Sequence, residues 1–455
     1  MTALNKHSEI KDFTQGSLTA HLIKFAIPVL LSNLMMVLLN SVDLIVVGYK
    51  LGEIGTSAVT IGGSVAMFLN AFIGGFSSAA QVIIAMMIGA GEKKKISKFI
   101  STVCGFVSLI AVLSMAVMIP LTGTMLRLLN TPTETYDGAF IYSIICLFGI
   151  VPIYAYHIIS AIVRGMGDSK HPFIFVATAC GLNIVLDIVF VIGFDMGVGG
   201  AALATIIAQL ASVIFSVILI SKKREAFELF IKPIDFFKWD KSNLLKFLRL
   251  AIPMAINNSA IQIAGMFISS LTNNFGVSVS AFAGIRSNIS IMVDLMLGAI
   301  ATSGAMIIGQ NIAAGKIKRV NGTLLRVGGI TISASLALIT AFLLFPIQLF
   351  GIFTKEASVL ELVYPYLPIL IFSFINAGIR PVTRALIEGS GNRTINLITA
   401  LFDAIVARIG FALIFGIWLN WGYLGFWFGA TLAELVPIII GVIFYLVGAW
   451  KVSKK

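Results

Sequence analysis

Long runs of apolar residues, separated by short polar stretches, follow one another from residue 22 to residue 450. Each run reaches the roughly 20 residues that a helix needs to cross the hydrocarbon core of a bilayer. Lipid offers no hydrogen-bond partner to an unpaired backbone group, so we expect these runs to be helices. The pattern predicts twelve spans: 22–48, 58–87, 99–120, 140–163, 172–194, 200–220, 248–272, 278–308, 327–350, 362–387, 395–416 and 425–450.

The composition is typical of an integral membrane protein. Of the 455 residues, 58% are hydrophobic and 11% are charged, and the mean hydropathy is +1.01. A soluble domain is closer to half apolar and a quarter charged. The polar N-terminal stretch precedes an apolar run that is too long for a signal-peptide core, so we expect it to be retained. Cys104, Cys146 and Cys180 lie inside predicted spans without metal-ligand spacing, which indicates packing residues.

The net charge of +12 does not indicate a nucleic-acid partner, because the basic residues follow the topology. If the N-terminus is cytoplasmic, the loops after even-numbered spans are cytoplasmic too, and they hold most of the lysines and arginines. The opposite loops hold only Lys50, Arg127 and Lys355. The positive-inside rule therefore predicts a multi-pass protein of the cell inner (plasma) membrane with both termini cytoplasmic.

The chain repeats itself at one nearly constant offset. Ala26-Ile27-Pro28 recurs as Ala251-Ile252-Pro253, and Gly165-Met166-Gly167 recurs as Gly389-Ser390-Gly391 at almost the same separation. An even number of spans per repeat means that both halves enter the membrane in the same direction, a common plan among secondary transporters. The predicted fold is an all-α integral membrane protein of twelve transmembrane helices in two pseudo-symmetric six-helix lobes.

These patterns divide the chain into five predicted segments. They are a cytoplasmic N-terminal tail (1–18), an N-lobe (19–221), a cytoplasmic interfacial linker (222–246), a C-lobe (247–450) and a basic cytoplasmic tail (451–455). The linker mixes basic residues with Phe and Trp, which suits a segment lying on the membrane surface.

Polar side chains of the first half share one predicted depth. Asp43 lies five residues before Gly48, Asp187 six residues before Gly193, and Thr205 five residues after Gly200. At 1.5 Å per residue, each lies about 8–9 Å below the outer end of its helix. Asn183 is four residues before Asp187 and so faces the same way, one turn deeper.

Two carboxylates at that depth have no lysine or arginine from spans one to six to neutralise them. They must hold a cation or share protons. Oxygen ligands favour a hard ion such as Na⁺ over a soft transition metal. The alternative is that Asn183 and Asp187 only form hydrogen bonds between helices.

The second half carries a different set of charges. Arg286, Arg408 and Glu434 come to similar outer depths, and Arg380 and Asp403 both lie near the cytoplasmic ends of their spans. These residues are predicted to form self-neutralising structural pairs. Asp294 lies in the middle of span eight with no basic residue at its level, so we expect it to be protonated or to contact substrate.

The stretches AIVRGMGDSKHPFIFVATACGLNIVLDIVFVIGFDMGVGGAALAT (161–205) and AIPVLLSNLMMVLLNSVDLIVVG (26–48) closely resemble the multidrug and toxic compound extrusion (MATE) family. The resemblance covers essentially the whole chain. It implies two lobes that alternately open a central cavity, and export of organic cations or amphiphiles driven by inward Na⁺ or H⁺.

In the branch that resembles the DNA-damage-inducible-F proteins, the coupling site lies in the N-lobe. By this resemblance, Asp43, Asn183, Asp187 and Thr205 are the cation-coupling residues. The norfloxacin-efflux branch has an acid on span seven, where this chain reads NNSAIQIAG (257–265), so no C-lobe cation site is expected.

Two other functions stay open at this point. One is a lipid or lipid-linked oligosaccharide flippase of the same superfamily, for which Arg286, Arg380, Arg384 and Arg408 would supply positive charge. The other is a membrane receptor that does not transport. Enzyme chemistry is not expected, and neither is a cofactor beyond the coupling ion. We expect a monomer in the bilayer with Asn40, Asn70, Tyr154, His157 and Asp294 as substrate-cavity residues.

Overall fold

The fold is known from a computed structural model, which describes residues 9–129 and 131–451 and, for Asn40, Pro233, Ala404 and Ile405, the backbone alone. Within these ranges the chain forms helices and no strand. The α-helices are α1 Leu18–Gly89, α2 Lys93–Leu128, α3 Thr133–Phe148, α4 Ile150–Gly165, α5 Lys170–Asp187, α6 Gly197–Lys222, α7 Lys241–Asn273, α8 Val277–Ala313, α9 Ile317–Leu344, α10 Pro346–Phe350, α11 Ala357–Leu360, α12 Val363–Gly389, α13 Arg393–Ala400, α14 Arg408–Leu413, α15 Gly422–Ala433 and α16 Leu435–Val447.

Short helices of other types complete the description. π-helical segments cover Ile188–Gly193, Leu401–Ala407 and Ile414–Trp418, and 3-10 helices cover Pro233–Phe237 and Ala449–Lys451. The π-helical segments continue α5, α13 and α14 without a break, so the spans Lys170–Gly193 and Arg393–Trp418 each cross as one unit.

The predicted twelve spans and the all-α fold class are confirmed. Among the described residues, ten helices are long and apolar enough to cross a membrane, and the pair α3 and α4, bent by 50°, adds an eleventh span. The 72-residue α1 counts once in that number, but its helical backbone is interrupted at Gly52. A bilayer needs only about 20 residues per span, so α1 supplies two.

The first structural unit consists of residues 9–12 and Ile27–Ala251. Its helices pack through small and aromatic side chains that are buried together, such as Ala201 and Ala202 of α6 against Val47 of α1 and Tyr142 of α3. The outward faces of the same helices carry exposed apolar residues such as Ile214 and Ile218 on α6, as expected for a surface in contact with lipid.

The second unit consists of Phe13–Ala26 and residues 252–451. An aromatic cluster forms its core, where Phe282 of α8 stacks on Phe350 at 5.2 Å and meets the ring of Tyr366 on α12 at 5.3 Å. Trp427 of α15 closes the cluster at 5.5 Å from Phe282. Aromatic packing of this kind fixes α8, α12 and α15 against one another.

The stretch at residues 13–17, which belongs to the predicted N-terminal tail, is held by the second unit. The Phe13 N–H donates to the Gln310 side-chain oxygen at 2.7 Å, and the Asn311 amide donates back to the Phe13 carbonyl at 3.2 Å. The Arg319 guanidinium binds the carbonyls of Phe13, Gln15 and Gly16 at 3.0 Å each. These bonds satisfy the backbone before α1 begins.

The two halves share turn geometry at matching positions. Gly91 and Gly315, which follow the second helix of each repeat, both have a positive φ, of 74° and 71°. Asp195 and Asn420, which precede α6 and α15, have φ of 56° and 55°. Since a left-handed backbone is costly for most residues, its recurrence at equivalent positions supports the internal repeat.

Candidate functional site

Four helices of the first unit bring five polar side chains together. Asp43 comes from α1, Tyr142 from α3, Asn183 and Asp187 from α5, and Thr205 from α6. The four residues that the sequence placed at one depth are therefore neighbours in space.

Asp43 accepts hydrogen bonds from three other helices. The Thr205 hydroxyl donates to Oδ2 at 3.0 Å, and the Tyr142 hydroxyl donates to the same oxygen at 3.1 Å. The Asn183 amide nitrogen donates to Oδ1 at 3.2 Å. These three donors fix the position of the Asp43 side chain and make it the acceptor at the centre of the site.

Asp187 is fully buried and lies beside Asp43, close enough for the two carboxyl groups to interact. No hydrogen-bond donor among the described residues satisfies either of its oxygens, and the Asn183 side-chain oxygen is also buried without a donor. Three buried oxygen acceptors therefore face the site unsatisfied. Such groups are costly unless a proton or cation completes them.

The backbone changes character directly after Asp187. The α-helical hydrogen bonding of α5 ends at this residue, and the chain continues as the π-helix Ile188–Gly193. π-helical turns inside α-helices occur frequently at functional sites, where they alter which side chains face one another. The widened turn thus begins directly after Asp187, the residue whose carboxylate has no donor among the described residues.

Among the residues that the structure describes, no basic side chain compensates the charge of the site. Within the described part of the chain, neither Asp43 nor Asp187 forms an ion pair with lysine, arginine or histidine. The polar atoms around the two carboxylates are the oxygens of Thr205, Tyr142 and Asn183 and one amide nitrogen. This set fits Na⁺, which prefers oxygen ligands, and it equally fits protons shared between the acids.

Tyr142 is the member of the site that sequence reasoning missed. The predicted fourth span began at residue 140, which placed Tyr142 at the membrane surface. The helix α3 begins seven residues earlier, at Thr133. Tyr142 therefore lies nine residues, about 14 Å, along the helix, where its hydroxyl reaches Asp43.

The predicted substrate-cavity residues of the first half differ in their surroundings. The Asn40 side chain lies outside the described residues, and Asn70 is half-buried. Tyr154 is buried and its hydroxyl donates to the Leu69 carbonyl at 3.3 Å, so it packs inside the lobe and does not line an open cavity. His157 is half-buried, and its Nε2 has no partner among the described residues.

The charged residues of the second half form ion pairs, but not the pairs that the sequence predicted. Asp294, expected to have no basic neighbour, pairs with Arg380, which also lies 3.6 Å from Glu434. Counting residues from the helix ends placed Arg380 near the cytoplasmic end of its span, whereas its long side chain reaches both acids.

Arg408 pairs with Asp403 at 3.3 Å, and not with Glu434 at its own predicted depth. The two residues are five apart, and the π-helix Leu401–Ala407 hydrogen-bonds residues five apart. Arg286 lies over the Trp427 ring, 5.6 Å from its centroid. Arg408 is therefore paired with an acid other than the one at its predicted depth, whereas Arg286 contacts an aromatic ring.

A second group of titratable residues lies at the start of α5. Glu9, Asp168 and His171 bring potential ligand atoms within 4.8 Å of one another. The Lys223 ammonium lies 2.8 Å from Glu9 and 3.2 Å from His171 Nε2, so an internal cation already occupies the place between them.

Comparisons with known proteins follow the same division into halves. The family model described as MatE matches residues 28–189 and again residues 253–414. A similar protein is the probable multidrug resistance protein YpnP of Bacillus subtilis, 30% identical over 447 residues that cover 97% of this chain and 98% of that protein. The probable multidrug resistance protein NorM of Thermotoga maritima is 26% identical, with 94% and 92% covered.

Solved structures share the fold. One described as "Crystal structure of MATE in the bent conformation" has a TM-score of 0.88 at 23% identity and covers 96% of this chain and 97% of its own. One described as the outward-facing conformation of a multidrug resistance MATE family transporter has a TM-score of 0.87 at 24% identity, with 98% and 100% covered.

Proposed function

The chain belongs to the MatE family of multidrug efflux transporters, and from that premise we propose that it is a secondary active antiporter. It exports organic cations and amphiphilic drugs or metabolites in exchange for inward Na⁺ or H⁺. The chain is a transporter and not an enzyme. The observation that carries the proposal is the buried pair Asp43 and Asp187, which has no basic partner among the described residues.

The two acids have different surroundings, which suggests different roles. Asp43 has three donors and is fixed in position. Asp187 has none, so its oxygens and the Asn183 oxygen are the atoms that gain most when a cation or proton arrives. Na⁺ would be held by Asp43, Asn183, Asp187 and Thr205. A proton would be shared between the two carboxyl groups.

Occupancy of this site would bias the protein between its outward-open and inward-open states. A ligand shifts such an equilibrium only by its difference in affinity for the two states. The five residues come from four helices, so a change in the packing of α1 against α5 and α6 changes the number of oxygens around the ion. The ion would then bind the two states with different affinities, and this difference in binding free energy is what couples ion binding to substrate export.

The wider setting of the transporter is proposed on the same basis. It is a multi-pass membrane protein. We infer that both termini are cytoplasmic, that the protein works as a monomer in the bilayer, and that it uses no cofactor other than the coupling ion. The cargo class is small organic cations or amphiphiles.

The flippase alternative needs free positive charge for an anionic phosphate. Arg380, Arg384 and Arg408 each have a carboxylate partner, and Arg286 lies on Trp427. Positive charge in the second half is therefore largely neutralised, which favours a cationic or neutral cargo over an anionic one. A receptor without transport predicts no flux in vesicles for any cargo.

The test is dye efflux from proteoliposomes under an imposed Na⁺ or H⁺ gradient, with Asp43→Asn beside the wild type. Asp195→Asn is the matched control, because Asp195 is an exposed carboxylate paired with Lys50 outside the site. We expect gradient-driven efflux to be lost in Asp43→Asn and kept in Asp195→Asn. Efflux in Asp43→Asn at the wild-type rate would falsify the assignment of the site.

Thermal unfolding in NaCl against choline chloride, at constant ionic strength, separates the two ions. Sodium at about ten times its dissociation constant stabilises the folded state by about 1.4 kcal/mol. A sodium-specific shift that Asp43→Asn abolishes supports Na⁺ coupling. No sodium shift, together with efflux driven by a pH gradient, supports H⁺ coupling.

A further inference from the structure

An open cavity of about 610 Å³ lies between the first turns of α2 and the segment that joins α6 to α7. Its lining includes four lysines and two carboxylates, so the cavity carries a net positive charge. The lysines are Lys93, Lys94, Lys98 and Lys238, and the acids are Glu228 and Asp235.

Two of the four lysines have carboxylate partners and two do not. Lys93 lies 3.3 Å from Glu228, and Lys98 lies 2.6 Å from Asp240. Asp235 accepts a hydrogen bond from the Lys232 backbone N–H instead. In the described ranges no carboxylate lies at ion-pair distance from Lys94 or Lys238. Both side chains are exposed and free to bind an anion.

The wall of the cavity is fixed to α2 by specific contacts. The Phe230 N–H donates to the Ser97 hydroxyl and the Asp240 N–H to the Thr102 hydroxyl, both at 3.2 Å. Between them the Phe236 carbonyl oxygen lies so close to Gly105 that a Cβ there would be 2.0 Å away. The segment therefore follows one face of α2 closely, and the cavity is a built feature of this lobe.

Large apolar side chains project outward beside the lysines. Phe237 is 84% exposed and Phe230 is 71% exposed, and Ile234 and Trp239 are also exposed. Aromatic and basic residues side by side are typical of protein at the boundary between hydrocarbon and headgroups. A water-facing surface would leave these rings in contact with solvent, which favours a membrane lipid as the occupant.

We propose that this cavity binds the headgroup of an anionic phospholipid, such as phosphatidylglycerol, with Lys94 and Lys238 contacting the phosphate and the exposed aromatic side chains contacting the acyl chains. The ammonium groups supply charge-assisted hydrogen bonds to phosphate oxygens. Basic residues next to a membrane are attracted by anionic lipids and not by zwitterionic ones. The proposal is independent of the coupling site, since none of its residues belongs to that site.

The experiment measures thermal unfolding of the full-length protein in detergent while dioleoylphosphatidylglycerol or dioleoylphosphatidylcholine is added. The variant Lys94→Gln/Lys238→Gln is compared with Lys95→Gln. Lys95 is an exposed neighbour that pairs with Glu92 and does not line the cavity. All three side chains are exposed, so we expect the variants to fold.

We expect phosphatidylglycerol, but not phosphatidylcholine, to raise the unfolding temperature of the wild type. The double variant should bind it at least roughly tenfold more weakly, and Lys95→Gln within about twofold of the wild type. Phe237→Ser should weaken lipid binding as well. Glycerol 1-phosphate, which has the phosphate without acyl chains, should give no shift at the same concentration.

Four results would overturn the proposal. The first is equal stabilisation by both lipids, and the second is an equal loss in Lys95→Gln, which would indicate diffuse attraction only. The third is a wild-type response in the double variant. Stabilisation by glycerol 1-phosphate as strong as that by the lipid would identify a site for a soluble phosphate compound and reject the lipid.

Discussion

Asn183 and Asp43 are joined by a hydrogen bond of 3.2 Å from the amide nitrogen to the carboxylate oxygen Oδ1, although 140 residues separate them in the chain. The same nitrogen lies 3.2 Å from the Thr205 hydroxyl oxygen. The amide is therefore oriented with its nitrogen toward these two groups. Its oxygen has no donor among the described residues, and neither has either oxygen of Asp187.

This arrangement makes Thr205 a positioning residue for Asp43. Thr205→Val keeps the shape of the side chain but removes the hydroxyl that donates to Asp43 Oδ2. In the wild type this hydrogen bond is 3.0 Å long. Loss of a hydrogen bond to a charged group costs about 1.5–3 kcal/mol, so the concentration of coupling ion at half-maximal efflux should rise roughly tenfold or more. The measurement is efflux in proteoliposomes against external Na⁺ concentration and pH.

The conservative exchange Thr205→Ser restores a hydroxyl and is the control. We expect it to recover most of the wild-type ion dependence. If Thr205→Val and Thr205→Ser were equally impaired, the methyl group and packing would matter more than the hydrogen bond, and the role assigned to the hydroxyl would be wrong.

The four residues Asp43, Asn183, Asp187 and Thr205 could be brought together from sequence because helix rise is regular and the apolar runs have clear outer ends. Counting residues from the helix ends gave the wrong partners where the backbone departs from a regular α-helix. Asp403 and Arg408 pair across the π-helix Leu401–Ala407, and no residue type in that stretch predicts a π-helix. Long arginine side chains add a second difficulty, because Arg380 reaches acids well away from its own depth.

Gly105 is predicted to be needed for docking of the segment between α6 and α7. In Gly105→Ala the new Cβ would lie 2.0 Å from the Phe236 carbonyl oxygen, so the segment must move. Overpacking of this kind costs about 1–3 kcal/mol. We expect a lower unfolding temperature and faster tryptic cleavage after Lys238, which lies in the segment.

Gly181→Ala is the matched control, because Gly181 is also a helix-interior glycine but no atom lies within 4 Å of its added Cβ. Alanine is the better helix former by about 1 kcal/mol, so this variant should be as stable as the wild type or more so. Equal behaviour of the two variants would contradict the close approach at Gly105.

Arg380 is predicted to be structurally essential in the second lobe. Arg380→Gln leaves both Asp294 and Glu434 without their cation. Breaking the largely buried pair with Glu434 costs about 3–5 kcal/mol, because a charge remains unpaired, whereas the half-exposed Asp294 contributes less. We expect a large loss of thermal stability, with partial recovery in Arg380→Gln/Glu434→Gln. Arg384→Gln should cost less than about 1 kcal/mol, since Arg384 and its partner Glu388 form a half-exposed pair.

Two results would contradict the structural role predicted for Arg380. Wild-type stability of Arg380→Gln together with lost efflux would place the arginine in transport and not in structure. A double variant no more stable than Arg380→Gln would show that Glu434 does not carry the unpaired charge.

Asp168, in the turn before α5, is predicted to make the free energy of unfolding depend on pH in the acid range. Burial disfavours its charged form, but hydrogen bonds from the His171 ring and the Lys170 N–H, and the charge of Lys11, outweigh burial and hold the pKa of Asp168 below its ordinary value. The unfolded chain binds the proton more tightly than the folded protein does. The carboxylate therefore stabilises the fold above the ordinary aspartate pKa of about 3.9, and this contribution is lost as pH falls through the lower folded value.

The variant Asp168→Asn removes the charge and keeps an oxygen that can accept the Lys170 N–H. At pH 7 it should be less stable than the wild type by about 1–3 kcal/mol, because the bond from His171 loses its charged acceptor. The difference should begin to shrink as pH falls below about 4, where the unfolded wild-type chain takes up a proton, and should be lost only below the lower pKa of the folded protein, where the folded carboxylate is protonated too. The stability difference is measured from the unfolding temperatures of both proteins between pH 7 and pH 3. Asp195→Asn, at an exposed carboxylate, is the control. A difference that stays constant, or grows, with acidification would show that the Asp168 charge does not contribute to stability.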